Sequence, residues 1–238
     1  MSAKKWRTAQ QADDTQQSVS RGWHLVQNYP REDPERHLNE IDLTEAENDS
    51  AKPFEVPSLL LSAMRTFQEE VVGWLEFAML AWFNFYFAIG DGSPDDRLEE
   101  AAERLLKASE RLRPIARRMG TLPWRETHWY DLVMVYSEAV EYWAEAVGLI
   151  GRGAKLDHHY LAEAGFGNLN LGSSSAERVV AMHSSPERGV DLDEAIRKLE
   201  KLDPPAKVSK KKVEESKQPW RRALTAAASP MDWSKSPW

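Results

Sequence analysis

Residues 71–90 read VVGWLEFAMLAWFNFYFAIG, twenty positions holding one charge, Glu76, and one amide, Asn84. That is about the length a membrane-spanning helix needs, so the fold turns on whether this stretch meets lipid or protein. A spanning helix usually carries Lys or Arg on its cytoplasmic side and Trp or Tyr at its ends. Here both flanks are acidic (residues 68–70, QEE, and 91–96, DGSPDD), and Trp74, Trp82 and Tyr86 are spread along the length. At 100° per residue Glu69, Gly73, Glu76 and Asn84 share a sector about 80° wide, which leaves the rest of the surface apolar. These features describe the central helix of a bundle whose polar stripe lies at the rim or finds hydrogen-bond partners. Membrane anchoring through residues 71–90 is the alternative.

The helices that need such a partner follow directly. Ser93 is placed as an N-cap, Pro94 at the first helical position and Asp96 at the third, and Gly120 follows as a stop. Between them Leu98, Leu105, Leu112 and Met119 recur every seven residues. Asp95, Asp96 and Glu99 gather at the start and Arg117 and Arg118 at the end, which complements the helix dipole. Pro114 should kink this helix. A third helix, over about 123–150, holds Trp129, Tyr136, Trp143 and Ile150 in one register, Val133, Val140 and Val147 in a second, and Asp131, Glu138 and Glu145 in a third. Gly151 and Gly153 are its expected end. A short helix over 156–164, a Gly/Asn/Ser loop over 165–175 and short helices over 176–183 and 191–202 complete the body. The first helix starts near Pro57 and Ser58 and runs to Gly90, either whole or broken near Gly73.

On either side the composition changes. Residues 1–56 are polar, with one apolar island at Trp23 to Val26 and Tyr29, and read as a flexible arm. Residues 204–238 open with Pro204-Pro205 and turn basic and Trp-bearing, which reads as a tail. The organisation expected is therefore an arm (1–56), a helical domain (57–203) and a tail (204–238).

The 238 residues carry a formal charge of −7, which argues against wholesale binding to a phosphate backbone, and the absence of cysteine removes disulfides, thiolate metal sites and cysteine nucleophiles. The first residues, MSAKKWRTAQQADDTQQSVSRG, lack the apolar core of a signal peptide, so an intracellular location is expected, cytoplasmic or within an assembled particle. A di-metal carboxylate bundle would need Glu-x-x-His pairs, and the chain has none. No metal or other cofactor is expected. His128, beside Trp129, reads as a structural histidine, and Gly165-Phe166-Gly167-Asn168 lacks the strand-to-helix setting of a phosphate loop.

Two patterns remain. Arg152 and His158, with five residues between them, resemble the Arg-x4-6-His motif of HEPN ribonucleases, helical dimers that cleave RNA. The resemblance implies that Arg152 would stabilise phosphate charge while His158 moved a proton. It covers seven residues, and a chain with this many arginines and histidines yields roughly one such spacing by chance. In the C-terminal tail Trp220, Arg221, Arg222, Trp233 and Trp238 have the character of partner-binding anchors. Lys207, Lys210, Lys211, Lys212 and Lys217 are candidate nucleic-acid contacts. Ser-Pro pairs at Ser185, Ser229 and Ser236 match a minimal phosphorylation pattern. The expectation is an all-α protein of about three long helices plus short ones, a non-enzymatic assembly or adaptor subunit. Its partner would be a protein or a second copy, with RNA cleavage by Arg152 and His158 as the enzymatic alternative.

Overall fold

The computed structural model describes residues 58–121, 130–183 and 190–229, and among these it is all-α: six helices and no strand. In chain order they are α1 (Ser58–Asp91), α2 (Asp95–Thr121), α3 (Tyr130–Lys155), α4 (His159–His183), α5 (Asp193–Glu200) and α6 (Lys210–Ala228). Four of them have 25 residues or more, where about three long helices were expected. The island at Trp23, His128, Trp129, Ser185, Ser236, Trp233 and Trp238 lie outside the described residues.

α1 is the one described helix long and apolar enough to cross a membrane, and 94% of its apolar window is buried inside the protein. A helix apolar all round belongs in a core. It packs on α2 and α6 and touches α3 and α5. It runs unbroken through Gly73, and Trp82 stacks on Phe85 and Tyr86 along its surface. The polar stripe is satisfied as expected: Asn84 Nδ2 donates to the Leu80 carbonyl at 2.7 Å, and Glu76 accepts from Lys198 Nζ of α5 at 2.7 Å. α1 ends in a Schellman closure, with the Ser93 N–H on Ala88 O and the Gly92 N–H on Ile89 O. Gly92 supplies the left-handed turn this needs, with φ +67°.

α2 and α3 meet along the two heptad faces. Leu105, Leu112 and Met119 of α2 and Val133, Tyr136, Val140, Trp143 and Val147 of α3 are all fully buried. Ser109 Oγ donates to Ala144 O at 2.7 Å and Ser137 Oγ to Ala116 O at 2.8 Å, so each buried hydroxyl also ties the two helices together. α2 continues helically through Pro114.

Two expectations fail for the same reason. α3 does not stop at Gly151 but runs to Lys155, and the stretch expected as a loop over 165–175 is the middle of one continuous helix, α4. The glycines are contact points, not breaks. A Cβ on Gly151 would lie 3.0 Å from Leu105 Cβ, and one on Gly165 would lie 2.7 Å from the Ala146 carbonyl oxygen. Gly172 repeats the arrangement seven residues later, where a Cβ would fall 2.8 Å from Ala139 O and from the Trp143 ring. Gly165 and Gly172 thus match Ala146 and Ala139 across an antiparallel pair, and the absent side chains let α4 sit against the α3 backbone. Packing overrides their weak helix propensity. The turn joining α3 and α4 is a second Schellman closure, with the His158 N–H on Gly153 O at 2.7 Å and Asp157 at φ +53°.

Candidate functional site

The C-terminal segment holds most of the residues singled out for binding, and the structure gives much of it a different role. Residues 210–228 are not a tail but α6, packed on α4 and α1. Val213, Lys217, Trp220, Leu224 and Ala227 recur at three- and four-residue spacing and face inward. Trp220 is fully buried with its ring 6.2 Å from Phe166, so it is a core residue and not a partner anchor. Lys217 is buried as well, its ammonium donating to Glu214 at 2.8 Å, which removes it from the candidate nucleic-acid contacts.

Arg221 and Arg222 point to neighbouring helices. Arg221 pairs with Glu200, through Nε at 3.2 Å and through Nη2. Arg222 holds Glu177 of α4 in a two-pronged contact at 2.6 and 2.7 Å and donates to Ser174 Oγ at 2.9 Å. The hydrogen bond from Arg222 keeps the Glu177 carboxyl below its usual pKa range, and the hydrogen bond from Arg221 does the same for Glu200. Lys210, Lys211 and Lys212 are exposed at the start of α6, Lys211 lying 3.9 Å from Glu215, and Lys207 is half-buried.

α6 ends in a polar clamp that the sequence reading missed. The last carbonyls of a helix have no partner within it, and here those of Ala227, Ala228 and the C-cap residue Ser229 find one elsewhere. Ala227 O accepts from Tyr136 Oη at 3.0 Å and from Gln68 Nε2 at 3.3 Å, Ser229 O accepts from Gln68 Nε2 at 3.2 Å, and Ala228 O accepts from the Val190 N–H at 3.1 Å. Burial raises the Tyr136 phenol far above its usual pKa, partly offset by its hydrogen bond with Gln68, so the group stays a neutral donor. Tyr136 was legible as a heptad core residue, but nothing in its register pointed to the hydroxyl.

Arg152 and His158 bracket the α3–α4 turn. Arg152 Nη2 donates to Glu145 at 3.0 Å, and Arg113 of α2 reaches the same carboxylate at 3.4 Å. His158 is exposed and its ring lies 5.9 Å from that of Tyr160. The guanidinium that would face an RNA phosphate is therefore directed at Glu145.

Beside this ion pair opens a cleft of about 440 Å³ lined by Arg113, Arg117, Glu138, Glu141, Tyr142 and Asn168 with Glu145. Its two guanidinium groups and three carboxylates give it no dominant sign of charge. Among the described residues no group of His, Asp or Glu is placed to hold a metal ion.

The outer surface of α4 is different in kind. Tyr160 (59% exposed) and Leu171 (52%) stand on it, and Leu156 (66%) precedes it in the turn. These three are the large apolar side chains left in solvent among the described residues.

The described residues thus define an all-α protein with a polar cleft and one exposed apolar helix face. No family model matches the chain, and no curated protein or solved structure is similar enough to it to carry an argument.

Proposed function

We propose that this chain is a non-enzymatic interaction or assembly protein, a helical bundle acting as a rigid body that contacts its partners from its surface and its terminal segments. The observation that carries the reading is the contrast between two kinds of side chain. Charged groups are spent on joining helices, as in Glu76–Lys198, Arg222–Glu177, Arg221–Glu200 and Lys155–Glu103, while Leu156, Tyr160 and Leu171 are left facing solvent on and beside one helix. Large apolar side chains grouped in this way are what protein interfaces use. Trp220 is enclosed in the core, and Arg221 and Arg222 are engaged with Glu200 and Glu177. The terminal contribution rests with residues 1–57 and 230–238, including Trp233 and Trp238.

The test is the mass of the full chain by light scattering, alone and with single-stranded RNA, with RNA cleavage measured in parallel. The expected outcome is association of protein with protein and no cleavage. RNA cleavage that disappears in a folded His158→Ala variant would overturn the proposal in favour of the enzymatic reading.

A further inference from the structure

α4 carries an exposed face that its own fold does not explain. Tyr160, Ala164, Gly167, Leu171, Ser175 and Arg178 lie within a sector about 80° wide, opposite the side on which Gly165, Leu169, Gly172 and Ala176 pack against α3. Residues 164–176, AGFGNLNLGSSSA, contain no charge in a chain of which 29% of residues are charged. Exposed helix positions ordinarily carry Glu, Lys, Gln or Ala, which favour the helix and keep it soluble. Here Gly167 is exposed, and a Cβ added to it would meet nothing within 4 Å, so internal packing does not require the glycine.

We infer that this face docks on the same face of a second copy of the chain, with the two α4 helices antiparallel. The inference rests on the assembly reading above and specifies its surface. Two observations select a second copy over another partner. First, the chain carries a net charge of −7. Copies of it therefore repel wherever their charges meet, and a helix face that carries no charge from Tyr160 to Ser175 is where they approach at least cost, whereas a basic partner would be drawn to the acidic surface.

Second, the face admits a two-fold axis that pairs its two large apolar groups, as an isologous contact requires. With the axis passing between Gly165 and Phe166, Tyr160 falls opposite Leu171 of the second copy, and Leu171 opposite its Tyr160. In the same register Ala164 lies opposite Gly167, two small residues where close-packed helix axes come nearest. The two large apolar groups exposed on the helix therefore meet each other across the axis.

The chain has no cysteine, which makes the test direct. Within one chain Tyr160 and Leu171 are three helical turns apart, about 16 Å, well beyond the reach of a disulfide. A Tyr160→Cys/Leu171→Cys chain should therefore cross-link only between copies, and oxidation should convert it to a covalent dimer of twice 27.2 kDa. Leu171→Cys alone should stay uncross-linked, because the two positions lie about 16 Å apart across the axis. Leu171→Glu should retain the helical circular dichroism and weaken the dimer about tenfold or more, read as Kd by sedimentation.

A full chain that stays at 27.2 kDa overturns the inference. So does an assembled chain in which the double-cysteine variant fails to link, or in which Leu171→Cys links by itself. An assembled chain without the cross-link leaves the assembly reading standing on another surface, whereas His158-dependent RNA cleavage strikes that reading itself.

Discussion

Replacing Gly165 with alanine isolates the contact that makes α4 a helix. The new Cβ would stand 2.7 Å from Ala146 O, 2.6 Å from Ile150 Cγ1 and 3.0 Å from Ile150 N. Two of these three are backbone atoms of α3, so relief requires the whole helix to move by roughly half an ångström or more. Overpacking of this kind costs about 1–3 kcal/mol. The better helix propensity of alanine returns about 1 kcal/mol. Contacts this short, two of them with backbone atoms, put the overpacking at the upper end of that range, about 2–3 kcal/mol, so the net expectation is a loss of about 1–2 kcal/mol.

Gly167, two residues on, is the internal control. It lies in the same helix, yet its added Cβ would meet nothing within 4 Å, so Gly167→Ala should gain about 0.5–1 kcal/mol from propensity alone. Urea unfolding followed by circular dichroism, at one low protein concentration so that association contributes equally, reads both. In thermal scans each kcal/mol corresponds to about 2–4 °C for a chain of this size. The two variants should move in opposite directions. If Gly165→Ala were as stable as the parent, or if both shifted together, the close approach of α3 and α4 would be wrong.

Three further outcomes are expected. Tyr136→Phe removes one of two donors to Ala227 O and should cost about 1–2 kcal/mol in urea unfolding, with faster amide exchange concentrated at the end of α6. Lys198→Met leaves the Glu76 carboxylate buried without its ammonium and should cost roughly 2–4 kcal/mol, while a Glu76→Leu/Lys198→Met chain should recover most of that; no recovery would mean that the pair is not the reason for the loss. Glu177 has its folded pKa lowered by the bond from Arg222, so this bond contributes stability above the ordinary carboxyl value of 4.5, and the contribution fades as pH falls through the lower folded value. Amide protection in α6 should therefore weaken below about pH 4.5, and an Arg222→Ala chain should lose that acid-side slope, with a stability cost under about 1 kcal/mol because both side chains are partly in water.

The chain declares its helices through register. Leu98 to Met119 and Tyr136 to Ile150 place their faces by a seven-residue repeat, and the uniform apolarity of residues 71–90 marks a helix that others must enclose. That Glu76 and Asn84 would need partners follows from the same pattern. That Glu76 would find Lys198, more than a hundred positions away, does not.

Glycine and proline are where local reading breaks down. Gly92 and Pro94 do close a helix, but Gly151, Gly153, Gly165 and Gly172 sit inside helices because a neighbouring backbone occupies the space. A single sequence gives both kinds the same letter. Pro204-Pro205 and the lysines beyond them likewise resemble an unfolded tail, although Val213, Trp220, Leu224 and Ala227 already carry the helical spacing of α6. At the surface, Arg152 and His158 were visible as a spacing, but the competing carboxylate of Glu145 becomes evident only once α3 is wound. The sequence hides the exposed face of α4 for the same reason that residues 165–175 read as a loop: their uncharged, small-residue composition is that of a loop.

The order of the helices also affects how the protein is made. Among the described helices α1, the most apolar, leaves the ribosome first, while α6 and its clamp on Gln68 and Tyr136 come about 140 residues later. At translation rates of about 5–20 residues per second that interval is roughly 7–28 s. Throughout it the nascent chain presents a segment that insertion machinery and chaperones would both recognise as apolar, with its final cover still unmade. A chain cut short before Ala227 would therefore lack not a tail but the closure of its core, and its fate in the cell would be aggregation or capture.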